Sequence, residues 1–332
     1  MKKKHVIVTG GAGFIGANIV QALLQDNRVG KVRVLDNLST GHQKNIESYF
    51  SSPKFEFILG DIRDYATCLE ACEGMDLVCH QAALGSVPRS INKPLVTSEV
   101  NVTGTLNVFT AAKNSDIRRV VYAASSSTYG TSKELPKRED RIGAPLSPYA
   151  VTKVVNELYA KVYGELYQME LIGLRYFNVY GPKQDPNGAY AAVIPLFVKS
   201  ILNNQRPKIN GDGEQSRDFT YVSNAVNANI LALFTQNSSS VNQVYNVACG
   251  ARITINQLFQ SLTEIAQRKL QPIYGPERVG DVKHSLADIS KAQQLLGYQP
   301  TIFIREGLER VYLWYKDPVF SQLASSEEMI VE

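Results

Sequence analysis

Tyr149 and Lys153 are four residues apart in Tyr149-Ala150-Val151-Thr152-Lys153, so on a helix a phenol and an ammonium share one face, a turn apart. A free phenol titrates at about 10 and is a poor base at neutral pH. A neighbouring ammonium, and a cationic cofactor beside it, both favour the phenolate and turn it into a general base for a hydroxyl proton. This spacing is common by chance; its setting gives it weight. Upstream, Val120-Val121-Tyr122-Ala123 reads as a buried strand that runs into Ser125-Ser126-Ser127.

A second cluster concerns phosphate and ribose. Thr9-Gly10-Gly11-Ala12-Gly13-Phe14-Ile15-Gly16 lies between an apolar β-branched run and a helical pattern. Small residues at Gly10, Gly13 and Gly16 admit a pyrophosphate to the backbone, and the helix start at Phe14 and Ile15 offers amide donors. Asp36 ends the next strand, where an acid accepts both hydroxyls of an adenosine ribose and repels a 2′-phosphate, which selects NAD over NADP. Asn37, Ser39, Thr40 and Gly41 follow it, with no arginine to suit a phosphate. Asp61 and Ile62, after a third strand, are placed to meet the adenine; Asp61 also reads as a helix N-cap, a compatible role. Gln81 and Ala82, after a fourth, line the way to the nicotinamide.

The elements that position these groups alternate. Strands are expected over His5–Thr9, Val32–Leu35, Phe55–Leu59, Met75–Cys79, Val120–Ala123 and Leu171–Tyr176, with helices over Ile15–Leu24, Val100–Ala112 and Tyr149–Tyr167. Alternation of this kind predicts an α/β fold, a doubly wound parallel sheet of Rossmann type. After Gly181-Pro182 the chain turns Pro-, Gly- and Asn-rich, which predicts a smaller C-terminal lobe over the carboxyl edge of the sheet. The expected division is a dinucleotide domain over residues 1–180, a substrate lobe over 181–320 with about 220–250 returning to the sheet, and a loose acidic tail over 321–332.

Composition sets outer limits. Of 332 residues, 44% are hydrophobic and 20% charged, with a formal net charge of +4, which points to a soluble globular chain and away from a nucleic-acid partner. No apolar run is long enough for a membrane span or a signal h-region, so a cytoplasmic protein is expected. Cys68, Cys72, Cys79 and Cys249 show no metal or redox spacing and read as buried thiols.

Taken together, TGGAGFIG, DNLSTG, GDIRD, HQAA, YAVTK and RYFNVYGP resemble the extended short-chain dehydrogenase/reductase family, in its nucleotide-sugar epimerase branch, from Lys4 to about Lys316. The resemblance implies tightly bound NAD, a Ser125–Tyr149–Lys153 catalytic set in which Ser125, with Ser126 or Ser127 able to share the role, bonds the reacting oxygen, and a UDP-sugar oxidised and re-reduced at C4. Lys153 then also holds the nicotinamide ribose. Family dehydratases carry an Asp-Glu pair where this chain has Ser126 and Ser127, so water elimination is disfavoured.

The resemblance further implies Asn178, Arg217 and Arg278 as diphosphate ligands and Asp281 as a ribose acid. Ala192 and Val193 become backbone contacts, with Lys208 and Asn210 flanking the uracil. Glucose-specific relatives wall the pocket with a tyrosine where Ser285 stands, so room is left here for an N-acetyl group. Gly85-Ser86-Val87 resembles N-acetylhexosamine-preferring members of surface-polysaccharide biosynthesis. A uronic acid held by Arg89 or by a pocket arginine, UDP-glucose/UDP-galactose epimerisation, and a non-catalytic NAD sensor remain as alternatives. Relatives that dimerise through a four-helix bundle imply a homodimer formed by the helices expected over 100–112 and 149–167.

Overall fold

The structure, a computed structural model, describes residues 2–188, 191–277 and 283–317. Seven strands make one sheet: β1 (Lys4–Thr9), β2 (Val29–Asp36), β3 (Phe55–Leu59), β4 (Leu77–His80), β5 (Arg119–Ser125), β6 (Glu170–Tyr176) and β7 (Gln243–Val247). They run in the order β3-β2-β1-β4-β5-β6-β7, and every pairing is parallel. The doubly wound α/β fold expected from the alternation is the one observed.

Alternation along β1 explains the winding. Val6 and Val8 point to one face, under helices α1 (Phe14–Gln25) and, later in the chain, Val222–Phe234; Ala17, Ile19 and Leu23 come from the first and Ala225 and Ala228 from the second. Ile7 points to the other face, with Val78, under Cys68 of α2 (Tyr65–Cys72) and Phe109 of α3 (Gly104–Asn114), where α4 (Pro148–Tyr167) also packs through Ala160. Both faces are thus apolar along a single strand, as a sheet covered by helices on two sides demands. The winding reverses at β1, between β2 and β4, which opens a crevice at the carboxyl ends of the strands where ligands bind.

The remaining elements have a core of their own. Helices α5 (Val193–Leu202), α7 (Ile255–Ile265) and α8 (Ile304–Lys316) bring Phe197, Leu258, Leu262 and Val311 against Tyr180 and Tyr221; the intervening Val222–Phe234 is α6. Three separate two-stranded sheets belong to this part: Val179–Tyr180 with Thr220–Tyr221, Ser216–Arg217 with Ile253–Thr254, and Lys208–Asn210 with Ile273–Gly275. The segment from 220 to 250 supplies α6 and β7, both of which lie on the seven-stranded sheet.

The helix expected from Val100 begins earlier. Residues Pro94–Ser98 are already helical, Glu99–Thr103 form a widened π turn, and the regular α3 follows from Gly104. A side chain explains the irregularity: Asn101, fully buried, uses the turn to reach the backbone of Leu84. No helix among the described residues is long and apolar enough to cross a membrane.

Candidate active site

The glycine turn fits a dinucleotide. A Cβ on Gly10 would stand 2.6 Å from the Ala82 amide nitrogen, and one on Gly16 would stand 2.1 Å from the Gly10 carbonyl oxygen, so only hydrogen fits at either place. Gly13 caps α1 with no side chain bonded to the first turn. The amides of Phe14, Ile15 and Gly16 are therefore left for a ligand, and a helix start attracts anions. The ring of Phe14 meanwhile packs into the smaller lobe's core, and Ile15 into the main one.

Asp36 ends β2 with one oxygen accepting from the Ala12 amide and the other from the Leu38 amide, both at 2.9 Å. Burial pushes its carboxyl above the ordinary value, and those two bonds hold it back. Gly41 packs against the same carboxylate, while Asn37, Ser39 and Thr40 form an exposed rim. The Asn37 side chain donates to Asp61 at 2.8 Å and accepts from the Ser39 amide at 3.0 Å.

Asp61 does not cap a helix. Asp64 does, accepting from the Ala66 amide at 3.1 Å. Asp61 instead clasps Arg63, whose guanidinium lowers its carboxyl to about 2. The reason is spacing: an N-cap stands directly before its helix, which starts at Tyr65. The side chain of Ile62 is buried in the main core, so it can meet an adenine only through its backbone.

Ala82 carries its amide beside Gly10, whereas the side chain of Gln81 turns away. Its oxygen accepts from Tyr176 at 3.0 Å and its nitrogen donates to Asn229 at 3.0 Å, in a buried polar cluster under the crevice.

Around the reacting groups the geometry is tight. Ser147 caps α4 by accepting from the Ala150 amide, and Pro148 takes the first helical position, which sets Tyr149 in the opening turn. Lys153, 3% exposed, donates to the Ala123 carbonyl at 2.8 Å, and its Nζ lies 5.8 Å from the Tyr149 ring centre. Burial lowers the Lys153 ammonium to about 8. Ser125 accepts from the amide and the hydroxyl of Ser127, at 3.1 and 2.9 Å. Ser125 is also the neighbour whose hydrogen bond offsets the burial of the Tyr149 phenol, and Ser126 opens the turn beside it.

Burial raises the Tyr149 phenol above its ordinary value, and a hydrogen bond from Ser125 offsets part of that. Lys153 stands 5.8 Å from the ring centre, on the same face of the helix.

A buried polar chain beneath these groups left no local sign in the sequence. Thr9 shares a 2.6 Å bond with His80, which reaches Thr105 at 2.9 Å; Asn156 donates to that same hydroxyl at 3.2 Å. Asn101 donates to Thr152 at 3.2 Å and, through its oxygen, accepts the Leu84 amide at 2.7 Å. Burial holds His80 down at about 3, so it stays neutral and only orients. The chain ties the end of β1 and the loop after β4 to the catalytic helix.

Six of the residues expected to bind substrate, Asn178, Ala192, Val193, Lys208, Asn210 and Arg217, line one cavity of about 270 Å³. Gln215, Phe197 and Phe219 also line it, and the motifs did not single them out. Asn178 takes a left-handed backbone, φ 37°, which asparagine tolerates, and donates to the Asp218 carbonyl. Arg217 donates to the backbone oxygens of Ser216 and Lys283. Ser285 is partly buried, its amide 3.0 Å from the Ser216 carbonyl.

Asp218 ties these strands together. Its carboxylate, fully buried and raised by that burial to about 6, accepts from the amides of Cys249, Gly250 and Ala287. Ser86 has φ 89° and caps a short helix instead of lining this cavity. Arg278 and Asp281 lie outside the described residues. No cluster of three or more metal-binding side chains occurs among the described residues.

Residues 6–248 match the model of the NAD dependent epimerase/dehydratase family. The chain belongs to that family. An annotated relative in Methanocaldococcus jannaschii, "Putative UDP-glucose 4-epimerase", is 40% identical over 94% of this chain and 98% of its own length. Among solved structures, the UDP-N-acetylglucosamine 4-epimerase of Methanobrevibacter ruminantium, in complex with UDP-N-acetylmuramic acid, superposes with a TM-score of 0.89 at 42% identity, covering 95% of this chain and 99% of that one. The UDP-glucose 4-epimerase of Thermotoga maritima, with UDP-glucose, gives 0.88 at 34%, covering 94% and 98%. As an NAD-dependent member of this family the chain uses NAD, and the glycine cradle and Asp36 fit it.

Proposed function

We propose that this NAD-dependent nucleotide-sugar 4-epimerase acts on a UDP-N-acetylhexosamine, interconverting UDP-N-acetylglucosamine and UDP-N-acetylgalactosamine. One observation carries the choice of sugar. Ser285, whose amide bonds to the Ser216 carbonyl next to Arg217, is a small residue where glucose-specific relatives carry a tyrosine, which supports room for an N-acetyl group. The similarity to a UDP-N-acetylglucosamine 4-epimerase supports the same reading.

NAD, when bound, supplies a hydride acceptor at C4 and returns the hydride afterwards. The chain's own residues do the rest. Tyr149 takes the C4 hydroxyl proton and gives it back, and Ser125 bonds the same oxygen. Lys153 holds the nicotinamide ribose. Arg217 and Asn178 grip the diphosphate, a tether about which the sugar turns so that either face can be reduced. With Ser126 and Ser127 in place of an acid pair, no carboxylate stands ready in that segment to expel water.

The test is a direct comparison of UDP-N-acetylglucosamine, UDP-glucose and UDP-glucuronate as substrates. We expect kcat/KM to be highest for the N-acetylated sugar; a clear preference for either of the others overturns the reading of Ser285.

A homodimer is part of the proposal. Val151, Leu158, Val162 and Leu166 form an exposed apolar stripe on α4, beside Leu95 at 78% exposure. Helix α3 turns Val108, Phe109, Ala111 and Ala112 into the chain's own core, so the pairing surface is α4 with the Pro94–Ser98 turn. Equilibrium sedimentation checks it, with Leu158→Glu expected to give monomers.

A further inference from the structure

Behind the glycine turn lies a set of contacts that the reaction does not use. The loop after β2, residues 37–49, forms the ribose side of the cradle and is tied twice to Ala12. The His42 amide donates to the Ala12 carbonyl at 3.0 Å, and the Asn45 side chain donates to the same oxygen at 2.9 Å. The loop is then gripped from outside. Lys183 donates from Nζ to the Asn45 carbonyl at 3.1 Å, lies 3.4 Å from the Tyr49 hydroxyl, and sits 5.4 Å from that ring's centre. Asp185 stands 3.7 Å from His42 Nε2.

The gripping segment, Pro182-Lys183-Gln184-Asp185, is itself anchored on both sides. Asn18 of α1 donates to the Pro182 carbonyl at 3.1 Å, and the Tyr315 hydroxyl of α8 donates to the Gln184 carbonyl. Lys183 also holds a left-handed backbone, φ 70°, a conformation costly for a lysine and kept only where the surroundings impose it. Burial, with no acid offsetting it, lowers its ammonium to about 8. A strained residue and a half-buried charge thus both hold this one loop.

We propose that residues 182–185 lock the adenosine loop over NAD, with Lys183 and Asp185 setting how slowly the dinucleotide leaves. The chemistry gives such a lock a purpose. Epimerisation restores its cofactor at every turnover, so release serves no step, and an opened loop only yields an inactive protein. Opening the cradle requires residues 37–49 to move away from Ala12, and Lys183 and Asp185 oppose that movement from the other lobe. The inference rests on NAD as cofactor and is independent of the sugar chosen above.

The experiment measures NAD release without any sugar present. NAD-loaded protein is mixed with excess isotope-labelled NAD, and exchange is followed by mass spectrometry of the bound fraction. Lys183→Met keeps the length of the side chain and removes its donors. Loss of those bonds should speed release by about tenfold or more, while kcat at saturating NAD stays within about twofold and Lys183→Arg stays near wild type. Asp185→Asn should accelerate release in the same direction, and decides the matter if Lys183→Met does not fold. An unchanged release rate overturns the proposal. So does faster release accompanied by an equal fall in melting temperature with and without NAD, which would mark Lys183 as a general structural tie.

Discussion

The ammonium of Lys153 donates to the carbonyl oxygen of Ala123 at 2.8 Å, across the gap between α4 and β5. This bond ties α4 to the strand that ends in Ser125. It also holds a cation in a place where burial works against the charge, and several consequences can be measured.

Lys153→Met should make the NAD-free protein more stable while destroying activity. The folded-state ammonium titrates at about 8, below its ordinary 10.5. Below pH 8 both states carry the proton and the folded state bears the full cost of a buried charge. Between 8 and 10.5 the unfolded chain binds more protons than the folded one, so stability rises with pH and the cost disappears. Removing the charge should therefore raise stability at pH 7 by roughly 1–3 kcal/mol, a gain that shrinks by pH 10. Thermal melts at the two pH values check this; a variant that melts lower than wild type at pH 7 refutes it.

Tyr149→Phe should lower kcat by at least about 100-fold, the scale of general acid–base catalysis, with NAD still bound. Since burial raises the phenol when no cofactor is present, activity should climb with pH on the limb that Tyr149 governs. Stopped-time assays of NAD-loaded protein across pH would show the limb, and a flat profile would remove Tyr149 from the role of base.

Ser285→Tyr should penalise N-acetylated substrates selectively, by about tenfold or more in kcat/KM, since an overfilled pocket discriminates on that scale. Turnover of unsubstituted UDP-hexoses should change little. Equal losses for both classes of sugar would mean that the side chain disturbs the fold around Ser216.

Asn101→Ala should cost about 1–3 kcal/mol in denaturant unfolding, because it leaves the part-buried Leu84 amide without its side-chain acceptor and breaks the buried tie to Thr152. Asn101→Asp keeps an acceptor for that amide and should recover part of the loss. A loss below about 0.5 kcal/mol for the alanine variant would show that the π turn does not depend on this side chain.

Much of the fold was legible because its signals are local. Each of β1 to β6 is a short apolar run, and the glycine turn and the Tyr149–Lys153 pair are single stretches whose spacing carries their meaning. Those stretches the chain can advertise. Asp61 was harder: an acid before a helix satisfies the N-cap pattern by composition, and only the true start at Tyr65 hands that role to Asp64.

What tertiary structure decided is of another kind. His80 reaches Thr105, Asp218 gathers Cys249 and Ala287, and Lys183 reaches back to Asn45, each across a sequence distance that carries no periodic trace. The same holds for the direction in which burial moves a titrating group. Sequence placed a lysine one turn from a tyrosine and, with a cationic cofactor beside them, predicted a primed phenolate. The folded protein dries both groups, which raises the phenol and lowers the ammonium. Residue types and their spacing chose the fold and the chemistry on offer; the water excluded by packing set the balance of charge, which no linear pattern encodes.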